Sequence, residues 1–101
     1  MLNEEEQITV DAHISLLEEM GPALPRPYSD AVKNSRHSNM KELRVQHHGV
    51  PYRILYTFDP RRVAILLIGG CKKGDNRWYE KNIPIADDLY DAHLKEINEK
   101  E

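Results

Sequence analysis

The stretch Met40–Tyr79 most constrains the fold, because it contains three strand-like runs joined by two turn signals. His48-Gly49 separates the first two runs and is a typical hairpin dipeptide. Asp59-Pro60 separates the second run from the third and is typical of a tight turn with proline at its second position. The third run is almost continuously apolar, which favours a central strand covered on both faces. We therefore predict a meander of three antiparallel strands at residues 41–47, 52–58 and 63–69.

The N-terminal segment predicts an amphipathic helix at about residues 4–20. Asn3 is a candidate N-cap, and Glu6 follows three residues later, as in a capping box. Gly21 suits the position after a helix end, and Pro22 blocks continuation of the helix. The stripe expected to be buried has apolar side chains at helical spacing, and comprises Ile8, Val10, Ala12, Ile14, Leu16, Leu17 and Met20.

The C-terminal segment predicts a second helix at about residues 84–98, because Pro84 suits the first turn of a helix. Short helical turns are predicted at residues 29–34 and 76–82. The expected fold class is α+β: a small antiparallel sheet with a helix before it and a helix after it, in a single domain over residues 1–101. The stripe expected to be buried on the second helix comprises Ile85, Leu89, Tyr90, His93, Leu94 and Ile97.

The charges divide the chain into an acidic, a basic and a second acidic part, although the net charge is only −3. Residues 1–25 carry six acids and no lysine or arginine, and residues 82–101 carry six acids and two lysines. Residues 26–81, which contain the predicted strands, carry twelve lysines and arginines against five acids. This asymmetry indicates one surface that meets an anionic partner. The alternative is internal charge balance between the helices and the sheet.

Other features of the sequence argue against several classes of protein. The longest apolar run, Val63–Ile68, is far shorter than the about 20 residues of a membrane span. The acidic start does not resemble a secretory signal. A single cysteine, Cys71, excludes an internal disulfide, so we expect a cytoplasmic protein. His47 and His48 lack standard metal-ligand spacing, and neighbouring strand residues face opposite sides, so we expect no metal and no other cofactor.

Basic and aromatic residues around the predicted strands are the best candidates for chemistry. Metal-independent RNA cleavage needs a base for the ribose 2′-OH, cations for the pentacoordinate phosphate and an acid for the leaving 5′ oxygen. Aromatic rings and arginine planes stack on bases, and neighbouring cations lower the pKa of tyrosine, lysine or histidine. The alternative is structural: the aromatic residues would pack in the core, and the mid-strand arginine would pair with a carboxylate. The candidates are Arg36, His37, Lys41, Arg44, Arg53, Lys72, Lys73, Arg77, Trp78 and Tyr79.

The motifs MKELRV, YRILYTFDPRRVAILLIGGCKKGD and RWYEKNIPIADDLYDAHL resemble the RelE/ParE toxin superfamily, and most closely its HigB-like, phage-derived branch. The resemblance covers most of the chain, from about Leu16 to Leu94. It implies a toxin of a bacterial type II toxin–antitoxin pair that cuts mRNA in the ribosomal A site without a metal. The implied partners are mRNA, the ribosome and a HigA-like helix-turn-helix antitoxin.

The resemblance also implies roles for individual residues. Arg53 matches the family's mid-strand arginine, which binds phosphate, and Lys72 or Lys73 matches the basic residue that stabilises the transition state. Tyr79 matches the aromatic residue that stacks on or activates the substrate nucleotide. These four residues are the predicted catalytic set. The predicted RNA-binding set, in which the two histidines align less well with the family, comprises Arg36, His37, Lys41, Arg44, His47 and Arg77.

The start of the chain departs from the family pattern. Family members begin with a strand before the first helix, whereas this sequence starts almost at the helix, so we expect the first strand to be missing. A homodimer would compensate for the lost strand. The alternative function is a non-catalytic binding module. It would be either a ParE-like inhibitor of DNA gyrase or an inactive truncated toxin that only binds its antitoxin.

Overall fold

The chain folds into two helices and four strands in a computed structural model that describes residues 2–100. In chain order the elements are α1 (Glu4–Met20), a 3₁₀ turn (Gly21–Ala23), β1 (Ser29–Ala31), β2 (Lys41–His47), β3 (Val50–Phe58), β4 (Ala64–Cys71) and α2 (Trp78–Lys100). The strands form one open antiparallel sheet in the order β1-β2-β3-β4. The predicted α+β class is confirmed. Within the described residues, neither helix is long and apolar enough to cross a membrane.

Helix α1 begins and ends as its sequence predicts. The Asn3 side chain accepts a hydrogen bond from the Glu6 backbone N–H (2.8 Å), and the Glu6 carboxylate accepts one from the Asn3 backbone N–H (3.1 Å). Gly21 ends the helix at a φ of 57°, and its N–H bonds to the Leu17 carbonyl. Such a cap stabilises a helix by about 1 kcal/mol, so the predicted boundaries of this helix rest on local hydrogen bonds.

The buried face of α1 is narrower than predicted. Val10 and Leu17 are buried and Ile14 is half-buried, whereas Ile8 is 62% exposed and Met20 is 40% exposed. The buried residues form one row of the helix that lies over β2 and β3. A single helix over a twisted sheet buries only such a row, and the predicted residues with a spacing of four, from Ile8 to Met20, lie on the other side of the helix.

The N-terminal part of the sheet contains a strand that the sequence did not predict. Residues 29–34 were expected to form a helical turn, but Ser29–Ala31 pairs with β2 instead. The Arg44 backbone N–H extends this pairing with a bond to the Tyr28 carbonyl (2.8 Å). Strand β1 is too short to show the alternation by which strands are recognised, so only its pairing with β2 reveals it.

Strand β4 lies at an edge of the sheet, so the prediction of a central strand is wrong. In a meander each strand pairs with its sequence neighbours, and the last strand therefore has one partner, which here is β3. Leu55 pairs with Ile68 and Tyr56 pairs with Leu66, which leaves Leu67 as a bulge. Because of this bulge Leu67 and Ile68 both pack against the same apolar cluster, which accounts for the continuous apolar run.

Helix α2 begins at Trp78, six residues before the predicted start at Pro84. The Asp75 carboxylate accepts a hydrogen bond from the Arg77 backbone N–H (3.1 Å), and the Asp75 carbonyl accepts one from the Trp78 N–H (3.4 Å). These bonds satisfy N–H groups that would otherwise lack partners at the helix start. The helical turn predicted at 76–82 is therefore the first part of α2, and Pro84 lies inside the helix.

Two apolar clusters, one on each face of the sheet, form the core. The first, beneath α1, comprises Val10, Leu17, Leu24, Leu43, Val45, Tyr52 and Tyr56. The second, beneath α2, comprises Met40, Leu55, Trp78, Ile83 and Ala86. The predicted alternation of β3 is confirmed, because Tyr52 and Tyr56 face one cluster and Leu55 faces the other. On α2, Tyr90 and Ile97 are buried as predicted, but Ile85 and Leu89 are 45% and 44% exposed, because they lie to one side of the buried row that Ile83, Ala86 and Tyr90 form.

Gly70 in β4 lies directly against the indole of Trp78. A Cβ atom at Gly70 would lie 2.9 Å from Trp78 Nε1, and the indole is only 4% exposed. We expect Gly70→Ala to lower the free energy of unfolding by about 1–3 kcal/mol and to shift the fluorescence of the chain's single tryptophan. Denaturant titration measures both quantities. Gly69→Ala is the control, because its Cβ would meet Ile54 Cγ1 at 3.3 Å; an equal loss in both variants would contradict this explanation.

Candidate functional site

Five polar side chains converge on the face of the sheet that α2 covers, and we call them the Tyr79 cluster. Glu42 and Arg44 lie two residues apart on β2 and therefore share a face. The hairpin register places Arg53 of β3 directly opposite Arg44. Lys72 follows the end of β4, and Tyr79 is the second residue of α2. The cluster thus joins three strands to the start of the second helix.

Hydrogen bonds connect the centre of the Tyr79 cluster. The Tyr79 hydroxyl donates to Glu42 Oε1 (3.1 Å) and accepts from Arg53 Nε (3.3 Å). Glu42 Oε1 also lies 3.5 Å from Arg53 Nε and 3.3 Å from Arg44 Nε. Arg53 Nη1 donates to the Tyr52 carbonyl (2.9 Å), which fixes the plane of the guanidinium. Among the described residues none bonds to Arg53 Nη2, so this group remains available to an acceptor.

The charges of the Tyr79 cluster favour an anionic ligand. The cluster contains three cations and one carboxylate, and the side chains of Arg53 and Glu42 are only 9% and 8% exposed. Partial exclusion of water strengthens the interaction of the arginines with a phosphate, for which the guanidinium has a matching geometry. A cation would meet net positive charge here, so the cluster does not suit a metal.

The pKa of Tyr79 is raised above the ordinary tyrosine value. Burial is the largest cause; the Arg53 hydrogen bond opposes it, and the Glu42 carboxylate adds to it. The expectation that neighbouring cations would depress a tyrosine pKa is therefore not met at this position. The phenol keeps its proton at neutral pH, so it can donate a hydrogen bond or a proton but cannot act as a base.

Tyr79 lines two open cavities. One, of about 450 Å³, is lined by Lys72, Gly74, Asp75, Asn76 and Tyr79, and the other, of about 260 Å³, is lined by residues that include Val32, Asn34, Glu42, Tyr79 and Ile83. The Lys72 ammonium lies 4.9 Å from the centre of the Tyr79 ring, in a cation–π contact. Both cavities are close to the about 300–1,000 Å³ typical of small-molecule sites. A nucleotide could therefore contact the ring and the cations together.

Other predicted site residues lie near the cluster or outside it. Lys73 and Arg77 are exposed in the loop between β4 and α2, and Arg77 Nε contacts Glu80 Oε2 (3.2 Å). Among the described residues, no carboxylate forms an ion pair with Lys72 or Lys73. Trp78 is buried in the core, as the structural alternative expected. The loop thus leaves Lys72 of the Tyr79 cluster and the neighbouring Lys73 without a paired carboxylate among the described residues, so both could meet an anion.

Arg36 and His37 contact the acidic side of α2 instead of the Tyr79 cluster. Arg36 Nη2 lies 2.9 Å from Asp88 Oδ1 and 2.5 Å from Asp91 Oδ2, and His37 Nε2 lies 2.7 Å from Asp91 Oδ1. Arg36 and His37 therefore match the alternative in which charges on the loop and the helix balance each other within the protein. Asp91 is twelve residues beyond Tyr79 on α2, which corresponds to roughly 18 Å along the helix.

Lys41 and His47 lie on the opposite face of the sheet from the Tyr79 cluster. Lys41 shares its face with Leu43 and Val45, which pack beneath α1. His47 Nδ1 lies 2.8 Å from the Thr9 hydroxyl of α1. The structure therefore brings together Arg44, Arg53, Lys72 and Tyr79 but not the two residues on the α1 face.

Glu42 is a member of the site that the sequence reasoning missed. The signal was present in the hairpin: a two-residue turn pairs Arg44 with Arg53, and two like charges directly opposite each other are unfavourable unless an anion lies beside them. Glu42 is the acid on the same face, two residues before Arg44. Reading the register of the hairpin, and not only its alternation, would have identified it.

A family model described as "Phage derived protein Gp49-like (DUF891)" matches residues 1–91. The Mycobacterium tuberculosis protein "Putative toxin HigB3" is 53% identical over 87 residues, which are 85% of this chain and 75% of the relative. "Putative toxin HigB2" of the same organism is 45% identical over 100 residues, which are 97% of this chain and 50% of the relative. No solved structure matches the chain.

These matches agree with the resemblance found in the sequence. The family model extends from the first residue into the second half of α2, so it includes every member of the Tyr79 cluster. The chain spans about three quarters of one curated relative and half of the other, and both relatives carry HigB toxin names. The chain therefore belongs to the Gp49-like family of phage-derived proteins, which confirms its predicted place in the HigB-like branch of the RelE/ParE superfamily.

Proposed function

We propose that the protein is the toxin of a type II toxin–antitoxin pair and acts as a ribosome-dependent mRNA endoribonuclease without a metal. The observation that carries the proposal is the Tyr79 cluster. A protonated tyrosine and a buried arginine share a hydrogen bond beside one carboxylate and two further cations. The HigB toxin names of the relatives support the same conclusion.

In the proposed reaction the ribose 2′ oxygen attacks the neighbouring phosphorus. A bond forms between that oxygen and phosphorus, and the bond from phosphorus to the 5′ oxygen breaks. The products are a 2′,3′-cyclic phosphate and a free 5′ hydroxyl. A base must take the 2′-OH proton, and an acid must give a proton to the 5′ oxygen. These requirements assign different tasks to the members of the Tyr79 cluster.

The contacts within the cluster support one role for each group. Glu42 is the only anionic member and lines a cavity, which supports it as the proton acceptor. The raised pKa of Tyr79 supports it as the proton or hydrogen-bond donor. Arg53 and Lys72 would stabilise the negative charge of the pentacoordinate phosphate. Arg44, Lys73 and Arg77 would bind neighbouring phosphates of the RNA strand.

The partners follow from the same proposal. The substrate is mRNA held by a ribosome, which places the protein in the cytoplasm, and a HigA-like antitoxin would neutralise it. The predicted RNA-binding roles of Lys41 and His47 require a second contact surface on the α1 face. Arg36 and His37 could contact RNA only beside the acids of α2, so we propose the smallest contribution for these two residues.

Induction in growing bacterial cells tests the proposal. We expect growth arrest and new mRNA 5′ ends, mapped by sequencing, in cells that express the natural chain. Arg53→Lys keeps the charge but loses the Nε bond to Tyr79, and we expect it to reduce cleavage by at least about 10²-fold. Arg26→Lys is the matched control, because Arg26 is exposed and, within residues 2–99, pairs only with Asp30.

Two results of this experiment would contradict the proposal. One is intact mRNA and continued translation while the protein accumulates in a folded form. The other is intact mRNA together with altered supercoiling of a reporter plasmid. The second result would support the gyrase inhibitor that the sequence left open as an alternative.

A further inference from the structure

We propose that Glu5, His47 and His48 form a binding site for a divalent transition metal such as zinc. The three residues come from the first turn of α1, the end of β2 and the turn after it. One ligand atom from each residue lies within 4.8 Å of the others. This site lies at the α1 side of the sheet, apart from the Tyr79 cluster, and goes beyond the proposed function.

The backbone of the β2–β3 turn brings the two histidines together. Adjacent residues of a strand point to opposite faces, which is why the sequence argued against a shared site. His48, however, lies in the turn at a φ of 48°, a left-handed conformation. Its ring meets that of His47 edge to face, with 4.2 Å between the ring centres.

Thr9 of α1 contacts His47 and orients its ring for metal binding. The Thr9 hydroxyl lies 3.2 Å from the Glu5 carbonyl, to which it can donate, and 2.8 Å from His47 Nδ1. When Nδ1 donates its hydrogen to this hydroxyl, Nε2 keeps a free lone pair for a metal. Outer hydrogen bonds of this kind orient ligand histidines in metal sites.

The donor set suits zinc. Zinc binds imidazole nitrogen and carboxylate oxygen at about 2.0–2.2 Å, commonly with three protein ligands and a water in a tetrahedron. Such a tetrahedron requires ligand atoms about 3.4 Å apart. Glu5 and His48 are exposed, so their side chains can rotate and bring the ligand atoms from within 4.8 Å of one another to the distance that a tetrahedron requires. Binding would link the first turn of α1 to the hairpin and would hold the helix on the sheet.

Zinc titration of the untagged protein tests the site. By calorimetry we expect one zinc ion per chain, and a zinc-dependent rise of the thermal unfolding midpoint, because the ion binds only the folded arrangement. Glu5→Gln and His48→Asn should each weaken binding by more than about tenfold, and asparagine tolerates the left-handed turn. Glu4→Gln is the matched control, with the same charge change in the same helical turn, and should bind as the natural chain does.

A second variant tests the role of Thr9. Thr9→Val keeps the shape of the side chain but removes the hydroxyl, so we expect about 10- to 100-fold weaker zinc binding. Cobalt(II) absorption spectra should show tetrahedral coordination in the natural chain and Glu4→Gln. Absence of zinc binding, or equal binding by Glu4→Gln, Glu5→Gln and His48→Asn, would overturn the proposal.

Discussion

Replacement of Tyr79 by phenylalanine should lower ribosome-dependent mRNA cleavage by about 10²–10³-fold, the loss seen when one donor to a developing charge is removed. The substitution keeps the ring, its packing against Trp78 and its contact with Lys72. It removes only the hydroxyl that donates to Glu42 and accepts from Arg53. Stability should change by about 1 kcal/mol, because one hydrogen-bonded group is lost.

The measurement is single-turnover cleavage of mRNA on purified ribosomes, with thermal unfolding of each protein as the folding control. Tyr90→Phe is the matched variant: it removes one tyrosine hydroxyl from the same helix, about three turns from Tyr79. It should cleave as the natural chain does. Equal cleavage by Tyr79→Phe and the natural chain would exclude the hydroxyl as an acid or hydrogen-bond donor and leave only stacking for the ring.

The largest expected effect on stability comes from Asp59, which closes the turn between β3 and β4. Its side chain is fully buried and accepts hydrogen bonds from the Arg61 guanidinium (2.7 Å) and from the backbone N–H groups of Arg61 and Val63 (2.8 and 3.1 Å). His93 Nε2 of α2 lies 3.0 Å away. We expect Asp59→Ala to lower the free energy of unfolding by about 3 kcal/mol, because two backbone N–H groups and the Arg61 guanidinium lose a charged acceptor.

Acid titration separates this contribution from general destabilisation. Burial alone would raise the pKa of Asp59, but bonds from His93, Arg61 and the Val63 N–H lower it well below the ordinary aspartate range. On acidification the unfolded chain therefore takes up this proton first. The stability from Asp59 is present above about pH 4, the ordinary aspartate value, and is lost as the pH falls further.

Denaturant titrations between neutral pH and pH 3 measure this dependence. The natural chain should lose stability steeply below about pH 4, and Asp59→Ala should show a shallower loss. Asp11→Asn is the control, since Asp11 is exposed and its one side-chain partner among the described residues is Gln7, from which it accepts a hydrogen bond (2.8 Å). Parallel acid curves for the natural chain and Asp59→Ala would contradict the assignment.

Features that depend on local chemistry were predictable from the sequence, and features that depend on partners were not. The Asn3–Glu6 capping box predicted the start of α1, and the alternation of side chains along β3 predicted its two faces. The position of β4 at the edge depends on which strands pair, and the bulge at Leu67 depends on its register with β3. Strand β1 is a strand only through its backbone pairing with β2, which its own sequence does not indicate.

The same division applies to the candidate site. The sequence named Arg53, Lys72 and Tyr79, and the fold brings them together. The sequence did not show that Arg36 forms ion pairs with the acidic residues of α2. An excess of positive charge in a segment does not identify which of its cations are paired. Glu42 was overlooked because a lone acid among basic residues gives no signal until the strands are in register.

Cleavage in a purified system tests the central proposal most directly. A defined mRNA is placed on purified ribosomes with a known codon in the A site, and the protein is added at neutral pH. We predict a cut at that codon that leaves a 2′,3′-cyclic phosphate and a 5′ hydroxyl, and no cut in the same mRNA without ribosomes. Intact mRNA on the ribosomes, in the presence of excess folded protein, would contradict the proposed function.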